Sequence, residues 1–247
     1  MKRLISPRIF PLVTHLAGIA GLVLSWWLYT NGEDSSGLLT QNHPAGILLI
    51  VLSLLMLVVL FFGLLSLAPQ TNYGKFFPPS VLSFAGCLFG ALGVAVASVQ
   101  AIAAEVTLLT VFLAVCGLLA TVSLVIIGIC RWQGQRPNYL FHWVVTAFFL
   151  LYTIFCCRGW GNETQLLVYC FPFLSLMFLV LTAYYHTALN VLAGSSRRLV
   201  FCNQAALFLC YLSIPRGNLL FYIPILLWLA TDFPVYYKST PRYLKEN

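Results

Sequence analysis

The chain is predicted to fold as an all-α polytopic transmembrane bundle, one membrane domain over residues 1–247. Three observations predict it. Apolar residues make up 61% and charged residues only 8%, whereas a soluble domain carries about a quarter charged residues. The apolar residues collect in eight stretches near the roughly 20 residues that a spanning helix needs. The cations then sort to one side of the membrane that those stretches define. Eleven of the 13 fall in alternate connecting segments: Lys2, Arg3, Arg8, Lys75, Arg131, Arg136, Arg197, Arg198, Lys238, Arg242 and Lys245. Arg158 and Arg216 fall in the other set. Cytoplasmic segments carry the excess of Lys and Arg, so both termini are expected in the cytoplasm.

The first stretch, 9–29, follows Lys2, Arg3 and Arg8 as the apolar core of a signal peptide would. It is too long for one, ends in Trp26-Trp27-Leu28-Tyr29 and lacks a small-x-small cleavage site, so it is expected to stay as the first span. The Trp pair belongs in the outer aromatic belt. The outer loop that follows holds Glu33, Asp34 and His43 as candidate residues. Within it Gly37-Leu38-Leu39 suggests a turn back to the membrane surface, and Asn42-His43-Pro44 suggests a cap on the second span, 45–67.

The third stretch, 78–99, places Gly86, Gly90, Gly93 and Ala97 at i, i+4, i+7 and i+11. That spacing puts four small residues on one face, which lets another helix approach closely. The contact is either internal, or a dimer seam or sliding surface. The fourth, fifth and sixth stretches are 106–130, 139–156 and 165–189. The seventh, 199–214, is short, and Pro215-Arg216-Gly217 separates it from the eighth, 218–236. Two spans joined by a tight outer turn fit this pattern. So does a re-entrant hairpin over 199–236, which leaves six spans. Either way the C-terminus is inside. Strands are excluded because the stretches are apolar all round and longer than the alternating segments of about 10 residues in a barrel, whereas helices satisfy their own backbone in lipid.

A four-plus-four repeat of 1–134 and 135–247 is suggested by Ser-Leu-Leu-Met-Leu-Val at 53–58 and Ser-Leu-Met-Phe-Leu-Val at 175–180. An even number of spans per half would make it a parallel repeat. The halves differ in filling. Glycine is absent from the last four stretches, while 24 of the 37 aromatic residues lie from Tyr139 onward. The first half should pack closely and the second should hold its helices apart with rings.

The topology places several polar residues at one depth near the cytoplasmic face: His15, His142, His186, Asn190 and Asp232. An Asp at mid-membrane costs about 2.5–3.5 kcal/mol, so Asp232 should be interfacial or paired. One expectation is ordinary headgroup-level residues. The other is a cytoplasm-facing cavity that relays protons. Histidine and aspartate are also zinc ligands, but no motif puts two of them on one helix, so no metal and no cofactor is expected. The eight cysteines lie in or beside apolar stretches without metal spacing, and packing is their expected role. The net charge of +7 is spread over the cytoplasmic segments, which argues for lipid headgroups rather than nucleic acid.

Gly37-Leu38-Leu39, followed by His43-Pro44 after a first span, resembles uncharacterised multi-span inner-membrane proteins of Gram-positive anaerobic bacteria. The resemblance covers mainly residues 7–60. It implies a bacterial cell membrane and carries no activity.

The expected function is a small permease for an apolar or zwitterionic solute, or a membrane subunit working with an ATPase or with further copies of itself. A lipid-modifying membrane enzyme using the His/Asp layer is the alternative from another class, and a structural partner without its own substrate is the third. There is no Walker lysine motif and no GxSxG, which weighs against an enzyme, and no lysine inside a span, which excludes a retinal Schiff base.

Overall fold

The computed structural model describes residues 9–32, 38–40, 42–66, 71–161 and 165–232. Glu33 and Asp34 lie outside the described residues. The chain forms helices α1 (Ile9–Asn31), α2 (Pro44–Ser66), α3 (Tyr73–Phe76), α4 (Val81–Ala104), α5 (Leu108–Gln133), α6 (Tyr139–Trp160), α7 (Leu166–Asn190), α8 (Ser196–Ser213) and α9 (Leu219–Thr231). Among the described residues there is no β-sheet. Six helices, α1, α2 and α4 to α7, are long and apolar enough to cross a membrane. Their 22–26 residues span roughly 33–39 Å at 1.5 Å per residue, against a hydrocarbon core of about 30 Å. The chain is therefore a multi-pass membrane protein.

Local chemistry sets the helix ends. Thr107 and Thr110 form a reciprocal capping box at the start of α5, and Gly134 ends that helix in the left-handed conformation, with φ 73°. Asn138 and Asn218 cap α6 and α9 by accepting from the backbone N–H groups of Leu140 and Leu220. His43 does the same for α2: its Nδ1 accepts from Ala45 N at 3.3 Å, and its ring edge rests on Trp27. This outer-loop candidate is thus occupied as a helix cap.

The starts of α4 and α6 and the ends of α5, α7 and α9 gather at one end of the bundle, here the basal end. The opposite end is the distal end. Two apolar cores result. One fills the space among α4, α5, α6, α7 and α9 with Val94, Leu124, Phe148, Phe149 and Trp228. The other joins α1 and α2 to α8 through Phe10, Leu49, Met56, Leu199 and Phe208. Helix α8 lies against α1, α2, α7 and α9, and every residue from Cys202 to Cys210 is buried.

The small-residue face of α4 meets α9. Gly86 faces Thr231, Gly90 lies against the Trp228 ring, Gly93 against Ile225, and Ala97 is buried in the same seam. A Cβ on Gly90 would stand 3.0 Å from that ring. Of the two contacts left open by the spacing, the internal one is realised. At the distal end the α8–α9 turn is tied to α4 by a hydrogen bond from Asn218 Nδ2 to Gln100 Oε1, one turn from the end of α4. Along α4 the α9 seam runs from Gly86 to Gln100, about 21 Å at 1.5 Å per residue.

Candidate functional site

A buried ionic cluster sits about one turn inside the basal end. Its centre is Arg131, in the last turn of α5 and only 2% exposed. Its guanidinium NH1 donates to Asp232 Oδ1 at 2.8 Å and to Ser83 Oγ at 3.3 Å. NH2 lies 3.1 Å from His186 Nδ1, and Nε donates to Tyr73 Oη at 3.1 Å. The guanidinium plane also covers the Phe77 ring, 4.1 Å from its centroid. Asp232, the residue after α9, is fully buried, and its Oδ2 lies 3.1 Å from His186 Nε2 without good hydrogen-bond alignment.

These contacts determine the imidazole protons. Arginine has no acceptor, so Nδ1 of His186 must accept. The remaining ring proton is then on Nε2, facing the carboxylate. Tyr73 lies in the connection between α2 and α4, where burial raises its phenol above the ordinary value. It keeps its proton, and its Oη pairs with His142 Nε2, 3.4 Å away. The His142 and His186 rings lie parallel at 3° with centroids 6.0 Å apart. Adding a proton to Nδ1 of His186 would set an N–H against the guanidinium and break that contact. The arrangement stores one buried cation–anion pair beside two groups that can accept protons.

Of the residues picked from sequence, His142, His186 and Asp232 come together here, from α6, α7 and the end of α9. Asn190 lies one turn below His186 and serves a different contact: its Oδ1 accepts from Arg136 Nε at 2.7 Å and its Nδ2 donates to Pro137 O. It fastens the end of α7 to the α5–α6 connection. His15 does not join. Its Nδ1 pairs with Tyr211 Oη at 3.1 Å on the α1–α8 side. Arg131, Tyr73, Phe77 and Ser83 were not among the sequence candidates. Arg131 had been counted with the topology cations, although a buried Asp at this depth needs a cation from another helix, and Arg131 ends the neighbouring stretch.

The cluster is closed. Tyr73, Phe76 and Phe77 are all buried, and Phe77 stacks on His186 with centroids 5.4 Å apart. The cavity that touches Arg131, His142, His186 and Trp228 has about 10 Å³, room for about one water. Among the described residues no group of three or more His, Cys, Asp or Glu could hold a metal ion.

Two larger cavities lie elsewhere. At the distal end a pocket of about 240 Å³ is bordered by Tyr152, Trp160, Arg216, Asn218 and Tyr222. On the side, a groove of about 690 Å³ runs between α2 and α7 over α8. A line of rings connects the cluster with the distal pocket: Phe77, His186, Trp228, Phe149, Phe148, Tyr152, Phe221 and Tyr222. Neighbouring centroids are 4.8–6.1 Å apart. These features define a helical multi-pass membrane protein with a buried charge cluster at one end. No protein-family model, curated protein or solved structure matches the chain.

Proposed function

We propose that the chain is a small permease for a zwitterionic solute, in a conformation closed at its basal end. The observation that carries this is the unbroken line of rings between the distal pocket and the Arg131–Asp232–His186 cluster. The two lie about 21 Å apart along α9, from Asn218 to Asp232, at 1.5 Å per residue. A buried ion pair is weak support for stability, because its desolvation offsets its attraction. Ionisable groups inside a membrane bundle instead mark pathways and relays. The pocket suits a solute with both charges: the Arg216 cation for a carboxylate, and the rings of Tyr152, Trp160 and Tyr222 for an ammonium group. On this reading α3 and Phe77 form the inner gate, and the Arg131–Asp232 pair is its latch. The lipid-modifying alternative needs substrate to reach His186, which is 1% exposed.

The orientation follows from the cations. The basal end faces the cytoplasm, α8 and α9 are the seventh and eighth crossings, and the membrane is the bacterial cell membrane. Reporter fusions at residues 72, 134, 195 and 245 should all be active inside. An outside signal at 134 or 195 overturns the orientation.

Transport is tested with the full chain in proteoliposomes and a panel of radiolabelled amino acids and betaines. The expected result is uptake of at least one member, with loss in Asn218→Ala at the pocket and in Arg131→Gln at the latch. No uptake and no thermal shift with any member would overturn the permease reading.

A further inference from the structure

We infer that the lateral groove between α2 and α7 is a binding site for one acyl chain of a membrane phospholipid. Its walls are Ile50, Leu54 and Leu57 of α2 and Leu174 and Phe178 of α7, and its floor includes Phe208 of α8. Rim and floor differ sharply in exposure: Leu54 and Leu57 are 60% and 56% exposed, whereas Phe208 is 3% exposed. The groove therefore opens sideways, and in a bilayer what lies beside α2 is hydrocarbon. Its only hydroxyl, on Ser53, donates to Leu49 O of its own helix at 2.8 Å. Nothing in the lining asks for a polar headgroup or a solute.

Size selects the occupant. A volume of about 690 Å³ is in the usual range of small-molecule sites, roughly 300–1,000 Å³. From Ile50 to Leu60 the groove is about 15 Å long, half of the ~30 Å hydrocarbon core and so the depth of one leaflet. One lipid tail has that reach.

The two walls are linked beyond the distal end of the groove. Leu39 N donates to Gln165 Oε1 at 2.8 Å, and Gln165 Nε2 donates back to Leu39 O at 3.1 Å. This pair of hydrogen bonds ties the α1–α2 loop to the start of α7, on the distal side of the groove. Helix α8 supports the two walls from behind. The site is independent of the permease reading, because it shares no residue with the cluster or the distal pocket.

The test uses the full chain in phosphatidylglycerol vesicles doped with a phospholipid that carries a diazirine in its acyl chain. After irradiation, adducts are mapped by mass spectrometry. Adducts on the peptides of Met56, Leu174 and Phe178 should exceed, several-fold, those on Phe112, Leu118 and Leu119 of the exposed α5 face. Ala205→Phe, which fills the floor, should remove the groove adducts and leave the α5 adducts unchanged. Leu174→Phe, a rim change that leaves the core alone, should reduce them with the melting temperature unaltered. Equal labelling of groove and α5, or groove adducts that survive both variants, would mean ordinary surrounding lipid and overturn the site. So would a co-purified non-phospholipid occupant found by native mass spectrometry.

Discussion

Helices α2 and α8 invert the usual relation between polarity and burial. α2 is the most apolar long helix of the chain, yet most of its side chains face outward and only a narrow stripe through Leu49, Met56 and Leu60 is buried. α8 carries Ser196, Arg197, Arg198, Asn203, Gln204 and Ser213, and is buried along most of its length. In water this arrangement would be inside out. In a bilayer the surrounding solvent is hydrocarbon, so leucines on α2 lose nothing by facing it, and polar groups gain by turning inward to partners. The difference teaches where stability resides. It should depend on the interior contacts, polar ones included, and only slightly on the lipid-facing rim.

The strongest way to break that contrast is Arg131→Met. It leaves Asp232 buried without its cation, and removing one member of a buried pair costs about 3–5 kcal/mol. Unfolding in detergent followed by circular dichroism should show the loss. Arg131→Met combined with Asp232→Leu should recover most of it, because no charge is then stranded. A double variant as unstable as the single one would show that the pair matters for something other than its charge.

Next is Gly90→Leu. The Cβ position already lies 3.0 Å from the Trp228 ring, so a branched side chain must push α4 from α9. Overpacking of this kind costs about 1–3 kcal/mol. Leu88→Ala, on the 40% exposed side of the same helix, should cost far less. Equal shifts in melting temperature for the two variants would contradict the close contact.

The stripe illustrates what was legible beforehand. Four small residues at helical spacing identify a contact face of α4 from sequence alone, but no periodicity names α9 as the partner. The depth of His142, His186 and Asp232 was legible too, since each lies near the same end of an apolar stretch. That they meet, and that His15 does not, depends on which helices are neighbours. Arg131 was hidden by its position: a cation in the last turn of a spanning stretch looks like a topology determinant until a carboxylate from 101 residues away is found beside it. Tyr73 and Phe77 were hidden because α3 has only four residues, too few for a periodic signal. Asn203 and Gln204 lie in the buried middle of α8, where an apolar stretch of sequence gives no sign of a polar pair.

Those two residues offer a finer test of the interior. Gln204 Nε2 donates to Asn203 Oδ1 at 3.3 Å, while Asn203 Nδ2 and Gln204 Oε1 have no hydrogen-bond partner among the described residues. Gln204→Leu alone orphans the Asn203 carbonyl, and an unsatisfied buried polar group costs about 1–3 kcal/mol. Asn203→Leu with Gln204→Met removes both partners and should be near neutral, within about 1 kcal/mol of the parent. If the pair variant is as damaging as the single one, these amides have a role beyond their mutual bond.

The smallest effect is expected at the rim, where Leu57→Ala should shift stability by no more than about 0.5 kcal/mol, the range of an ordinary surface change. Leu57 is 56% exposed, so its outer atoms exchange contacts with the protein for contacts with lipid tails or detergent, which are as apolar as leucine itself. In a water-soluble protein the same truncation on a buried helix would cost about 2–5 kcal/mol. The comparison is best made in one detergent, with Leu57→Ala measured beside Leu207→Ala on α8, whose side chain is fully buried. Leu207→Ala opens a cavity that lipid cannot reach, so it should be clearly the worse of the two. Equal losses would mean that α2 is held by more than its narrow stripe, and that its outward face is covered in the working protein.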